Sequence, residues 1–306
     1  MITIRKQIPL LLTMLIIGLM ACLSESFQNP EIIFPELTAI AAGALHVPET
    51  AWHVSKFRIL CFISLCAVTG VLMVHFLSIP LGIQLWIAFF IAQIIFICSG
   101  TSFAPMISAL VLPVMMQTES PVYLLSAFGL TAMVLFCRMI LEKTGIFPEM
   151  QFHPLPHPDR TVILQTLLRT CAGWMLILPA MFLDMRFLCA PPLLVAFTEF
   201  CKPDSPAEHH KPEIFLLMSV SAVMGCLFRY ILMPLPVCLP MMLTVFLILL
   251  IMKKSGRILP PAAAVSVLAY LIPESFLIWY PVQIAAGILI LLFLSDICRQ
   301  KKAVPA

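Results

Sequence analysis

Residues 255–275 read SGRILPPAAAVSVLAYLIPES. Pro260 and Pro261 open an apolar segment that Pro273, Glu274 and Ser275 close. Proline suits the first turn of a helix, where its missing N–H would have no partner anyway, so the spacing predicts a short helix set between prolines. Lys253, Lys254 and Arg257 stand just before it.

Weaker echoes of this stretch recur three times. They are FPELTAIAAGALHVPET (34–50), SGTSFAPMISALVLPVMMQTES (99–120) and APPLLVAFTEFCKPDS (190–205). Each begins at a proline, runs 13 or 14 residues to an acid and ends on Ser or Thr; the four acids are Glu49, Glu119, Asp204 and Glu274. Four copies of one plan direct attention to what lies between them.

Between them the chain is apolar. With 61% hydrophobic residues, 11% charged residues and a mean hydropathy of +1.06, it cannot be a soluble globule, since ordinary domains carry roughly a quarter charged residues. Apolar runs fall near 8–25, 32–46, 57–78, 80–98, 104–117 and 121–141, then near 162–183, 190–201, 212–232, 234–252, 260–273 and 276–296. The second and fifth run of each set are too short to fill a hydrocarbon core roughly 30 Å thick as straight helices. The expected fold is an all-α polytopic membrane protein of about twelve helices.

A direct duplication relates the two sets. Ser64 to Gly70 (SLCAVTG) aligns with Ser219 to Gly225 (SVSAVMG), and Ser99-Gly100 with Ser255-Gly256. A fainter repeat inside each half matches Pro35, Thr38 and Ala39 to Pro105, Ser108 and Ala109, and Pro203-Asp204-Ser205 to Pro273-Glu274-Ser275. The unit is therefore long helix, short proline-entered helix, long helix. Three crossings per unit make neighbouring units inverted and the six-helix halves parallel, a nesting seen in secondary transporters. The expected organisation is a first membrane repeat over 1–143, a linker over 144–161, a second repeat over 162–298 and a tail over 299–306.

With the N-terminus in the cytoplasm and every run crossing, 15 of the 18 Lys and Arg residues fall on the cytoplasmic side, which satisfies the positive-inside bias. Both termini and the proline-rich linker are then cytoplasmic, and Arg5 and Lys6 precede a retained first helix rather than a signal peptide. The expected location is a bacterial plasma (inner) membrane. The eleven cysteines lie mostly inside apolar runs without paired ligand spacing and read as small core residues.

The chemistry expected at the short helices follows from their N-termini, whose unpaired N–H groups attract anions. The substrate-binding residues named on this ground are Pro35 and Thr38; Ser99, Gly100, Thr101, Pro105 and Ser108; Pro191 and Pro192; and Gly256, Arg257, Pro260, Pro261 and Ser266. Close packing of small residues is the plainer explanation of the same pattern, and Arg257 reads as a topology anchor ahead of a substrate-attracting charge. Glu36 is expected to cap its helix ahead of binding substrate or a proton, and Arg169 to snorkel toward the cytoplasm. Gln84, Gln93 and Gln283 either line a path or join helices. His153, His157, His209 and His210 lie in polar loops and make no metal set, and no catalytic constellation, phosphate loop or dinucleotide fingerprint is present. No enzyme activity, cofactor or nucleic-acid partner is expected.

From Gly256 to Ser275, through the helix that follows to Asp296, the chain resembles the HPP family of integral membrane proteins, named for a His-Pro-Pro motif ahead of an alanine-rich segment. The 190–206 and 219–225 stretches are similar to it as well. The signature itself departs: Leu259 stands where the family has the histidine, and Phe103-Ala104-Pro105 replaces the motif in the first half. The resemblance implies nitrite-related transport. The leading expectation is a transporter or channel for a small anion, working from a central site between the halves in the lipid bilayer. An exporter of organic or aromatic acids and a non-transporting scaffold or assembly protein stand beside it. Coupling ion, direction and a homo-oligomeric state stay open.

Overall fold

A computed structural model describes residues 7–202 and 205–299. Arg5, Lys6, Pro203, Asp204, Lys301 and Lys302, on which part of the topology and repeat reading rests, lie outside the described residues. The chain is all-helical among those residues. Its helices are α1 (Ile8–Ser26), α2 (Glu36–Leu45), α3 (Lys56–Phe76), α4 (Leu81–Cys98), α5 (Pro105–Met116), α6 (Pro121–Lys143), α7 (Arg160–Phe182), α8 (Pro191–Phe200), α9 (Lys211–Ile231), α10 (Cys238–Ser255), α11 (Pro260–Leu268) and α12 (Tyr280–Cys298). Short 3₁₀ turns at Pro30–Ile32, Arg186–Cys189, Pro206–Glu208 and Glu274–Phe276 lie in the connections.

Eight of the helices are long and apolar enough to cross a membrane: α1, α3, α4, α6, α7, α9, α10 and α12. They expose large apolar side chains such as Phe76, Leu125, Phe136, Met175, Phe182, Leu289 and Phe293. Apolar exposure on that scale fits lipid rather than water. The protein is an α-helical integral membrane protein.

Local chemistry sets the helix ends. Ser55, Ser120 and Asp159 accept backbone N–H bonds at the starts of α3, α6 and α7, which removes one orphan donor each. Proline occupies the first turn of α5, α8 and α11. Glycine stops two helices in the same way: Gly100 (φ 61°) follows α4, and Gly256 (φ 69°) follows α10. Positive φ is cheap for glycine and ends a helix while freeing the chain to turn.

Consecutive elements run antiparallel. Call the end where α1 begins the near end and the opposite one the far end. Lys56 of α3 pairs with Glu142 of α6 at the near end, where Arg58 also donates to Ser99 O at the close of α4. At the far end, the amide of Val237 donates to Glu25 of α1 (3.2 Å). Described residues 8 and 298 both lie at the near end. The four short helices have 10, 12, 10 and 9 residues, so at about 1.5 Å per residue each covers roughly half the membrane depth. Irregular segments such as 27–35 and 269–279 complete the passage.

The short helices form the centre of the molecule. Every residue of α2 and α11, and all but Glu199 of α8, is buried, as is α5 up to Met115. Helix α2 packs on α11 and α5 packs on α8, while the long helices pack around them. Irregular backbone at membrane depth is tolerable only when protein encloses it, and this arrangement encloses it. Two glycines permit the closest approaches. A Cβ on Gly70 of α3 would fall on the carbonyl oxygen of Leu110 in α5, and one on Gly225 of α9 would fall on that of Ser266 in α11.

Helix contacts recur after a shift of six. Pairs α3·α5, α4·α5, α3·α6, α2·α6, α2·α11 and α4·α7 have counterparts α9·α11, α10·α11, α9·α12, α8·α12, α8·α5 and α10·α1. Between the two sets, residues 151–159 run without helix across the near end. Leu155 N bonds Gly100 O (2.9 Å), and the Arg58 guanidinium lies 5.0 Å from the Phe152 ring centroid.

Candidate functional site

The residues at the starts of the short helices are enclosed and internally bonded. The Thr38 hydroxyl donates to Pro35 O (2.7 Å), and the Ser266 hydroxyl to Ala263 O (2.7 Å). Ser99 and Thr101 bond one another (2.8 Å) beside Gly100. Ser108 donates across helices to Glu36. Pro35, Pro105, Pro191, Pro192, Pro260 and Pro261 are buried. These hydroxyl hydrogens are thus already donated within the protein.

Gly256 and Arg257 sit apart from that core, at the near end. Gly256 is exposed. Arg257 pairs with Glu213 at the start of α9, and its Nη2 lies 2.8 Å from His210 Nδ1. Its partners are surface groups, which suits an anchor.

Glu36 stands in the first turn of its helix beside its own backbone amide, as a capping acid does, and it also reaches a second helix. Its carboxylate turns to the neighbouring helix and accepts from Ser108 Oγ. It begins α2 below segment 27–35, enclosed at 1% exposure, so the nearest outside donor belongs to α5. Arg169 does not snorkel. It is 3% exposed, and its Nη2 donates to Thr166 Oγ1 (3.2 Å).

The three glutamines join helices. Gln84 Nε2 donates to the Met73 and Leu77 carbonyls (3.2 Å each) at the end of α3, and Gln117 donates to Gln84 Oε1 (2.8 Å). Gln93 on α4 donates to Thr198 on α8 (2.6 Å). Gln283 accepts from the Phe187 amide (2.9 Å). Glu199 accepts from Trp52 Nε1 (2.8 Å), a contact across 147 residues of chain. Among the described residues no group of three His, Cys, Asp or Glu is placed to hold a metal.

Two arginines hold the carbonyls at the C-termini of short helices, Arg138 at the near end and Arg229 at the far end. Arg138 of α6, fully buried, donates to Ala44 O (2.8 Å), Val47 O (3.1 Å), Pro48 O (2.6 Å) and Pro148 O (3.1 Å), and its Nε donates to Glu142 (2.9 Å). Arg229 of α9 donates through Nη1 to Ala269 O (2.6 Å) and Ile272 O (2.7 Å) beyond α11. Helix C-termini leave carbonyls unpaired and carry partial negative charge, so a guanidinium there satisfies both.

Arg229 has a second aspect. It lines a cavity of about 340 Å³ at the far end, bounded on one side by Glu25, Gln28, Asn29 and Ile33 and on the other by Val237, Pro240, Tyr270 and Glu274. Both Nη1 hydrogens are used on carbonyls, while Nε–H and Nη2–H have no partner among the described residues. That edge of a guanidinium is the one that binds an oxyanion through two parallel hydrogen bonds. A neighbouring cavity of about 200 Å³, lined by Pro30, Ile33, Leu112, Pro113, Tyr123 and Leu271, shares Pro30 and Ile33 with the first. The position of Arg229 near the end of its helix was readable from the sequence. Its cavity was not, because the facing wall comes from residues some 200 positions earlier.

Comparison with family models, curated proteins and solved structures finds no match to the chain.

Proposed function

We propose that the protein is a secondary transporter for a small, nitrite-like anion, built of two parallel six-helix halves and taking its substrate in the far-end cavity at Arg229. Supporting the two-half reading are the contact pairs repeated at a shift of six helices and the matched roles of Gly70 with Gly225 and of Gly100 with Gly256. Inverted triplets within each half follow from parity. On the positive-inside argument the near end faces the cytoplasm of a bacterial plasma membrane and the far end faces out. The resemblance of Gly256 to Ser275 to the HPP family supports the same substrate class.

The observation that carries the reading is Arg229, which lines a cavity walled by α1 and its following loop on one side and by α9–α11 on the other and keeps Nε–H and Nη2–H without a partner among the described residues. Glu25 and Glu274 stand in the same cavity and disfavour large or multiply charged anions, which supports a small monovalent one. A scaffold is the second reading, favoured by the enclosed, internally bonded core of short helices.

Equilibrium binding of nitrite to the purified protein tests the site. Arg229→Lys keeps the charge and a donor for the α11 carbonyls but loses the two-pronged edge. A charge-assisted pair is worth roughly 1.5–3 kcal/mol, so nitrite affinity is expected to fall about tenfold or more. Equal affinity in the two proteins would remove Arg229 from the site.

A further inference from the structure

Beneath the far-end cavities lies an acid the anion site does not use. Glu36 opens α2, is 1% exposed, accepts one bond from Ser108 Oγ, and leaves Oε2 buried without any partner among the described residues. None of the ion pairs among those residues includes it.

The neighbouring elements supply no cation. Helices α5 and α11 carry no titratable side chain. On α6 the buried Tyr123 faces the same region, its hydroxyl donating to Ala109 O (2.9 Å) and its ring edge-on to Phe34 (5.9 Å); Tyr123 and Cys66 of α3 are the titratable groups within electrostatic reach. Arg138 and Glu142 of α6 are engaged with one another at the near end. On α1, Glu25 faces α10, and Thr13 meets His46 at the opposite end of α2. Glu31, in the turn before α2, lines the 200 Å³ cavity.

An ionised carboxylate in this enclosure is offset by one hydroxyl, its own backbone amide and the positive end of a ten-residue helix, with no cation. A neutral acid fits the enclosure without a counter-charge. Access is short: Ile33 and Tyr123 line the 200 Å³ cavity, and Phe34, edge-on to Tyr123, is two residues from Glu36. A carboxyl one side-chain layer below a cavity, held between those two demands, is equipped to bind and release a proton.

We propose that Glu36 is a proton-binding site that couples proton movement to the solute. The idea rests, for the solute, on the transport reading above. In the loading step hydronium at the far end gives its proton to Oε2, forming one O–H bond and leaving water. In the unloading step that O–H bond breaks toward water and the electron pair stays on Oε2. A monovalent anion held at Arg229 and a proton at Glu36 would cross without net charge.

Infrared difference spectroscopy of the reconstituted protein across a pH series reads the site directly, through the carboxylic-acid C=O band. The band is expected in the wild type, lost in Glu36→Gln, shifted in Glu36→Asp and shifted again in Ser108→Ala, where the hydrogen bond is gone. A spectrum unchanged by Glu36→Gln overturns the site, and if that variant fails to fold, an unmoved band in Glu36→Asp and Ser108→Ala does the same. A second arm measures nitrite uptake driven by a pH gradient, expected to be lost in Glu36→Gln while nitrite exchange persists. Gradient-driven uptake that survives in the variant overturns the coupling. A titrating band in a protein that moves no anion would defeat the transport reading and leave the proton site standing.

Discussion

Gly225→Val is expected to lower the stability of the purified protein sharply, because its branched side chain must start where the Ser266 carbonyl of α11 already lies. Overpacking a core costs roughly 1–3 kcal/mol when neighbours can move. Here the obstacle is backbone at the centre of the molecule, with Ala269 on its other side, so the upper part of that range or loss of folded protein is expected. Gly70→Val meets the Leu110 carbonyl and the Pro113 ring in α5 and should behave alike. Gly129 on α6 is the control, since a Cβ there meets nothing within 4 Å and valine should change stability by under about 0.5 kcal/mol. Thermal unfolding in detergent of the three variants checks the set. Equal melting of Gly225→Val and Gly129→Val would mean that α9 and α11 are not in contact as described.

Arg138→Met should be still more damaging. Removing the guanidinium leaves the carbonyls of Ala44, Val47, Pro48 and Pro148 without that donor and strips Glu142 of one of its two cations, the other being Lys56. Breaking a buried charged network by removing one member costs about 3–5 kcal/mol. Lysine offers three donors from a single point and cannot span carbonyls on both the α2 end and the linker, so Arg138→Lys should recover only part. Adding Glu142→Gln to Arg138→Met should also recover part, since it neutralises the carboxylate left behind. Denaturation of the double variant equal to the single one would show that Glu142 does not feel the loss.

The positions of the short helices were legible from proline spacing alone, and the twelve helices fall where hydropathy and proline put them. Gly70 and Gly225 were visible as matched letters in two aligned stretches, and their shared contact on a short helix gives the match a physical reason. What local pattern could not convey was pairing at a distance. Ser108 finds Glu36 across 72 positions and Trp52 finds Glu199 across 147, and neither pair has a spacing that periodicity detects. The same limit hid the second partner of Glu36 and the burial of Arg169, each assigned the role its own helix would give it. Arg138, one of the 15 basic residues on the cytoplasmic side in the topology reading, is buried and binds the end of a helix that lies some ninety residues earlier, which no local pattern signals. The candidate residues at the helix starts were legible as a motif, but the internal bonding of their hydroxyls and the cavity beside Arg229 were not.

The measurement that reaches the central claim most directly is nitrite flux into proteoliposomes containing the wild type, Arg229→Lys or no protein. Saturable uptake by the wild type, reduced about tenfold at low nitrite in Arg229→Lys, is the expected result. No flux above empty vesicles from folded wild-type protein would contradict the transport account and favour a scaffold.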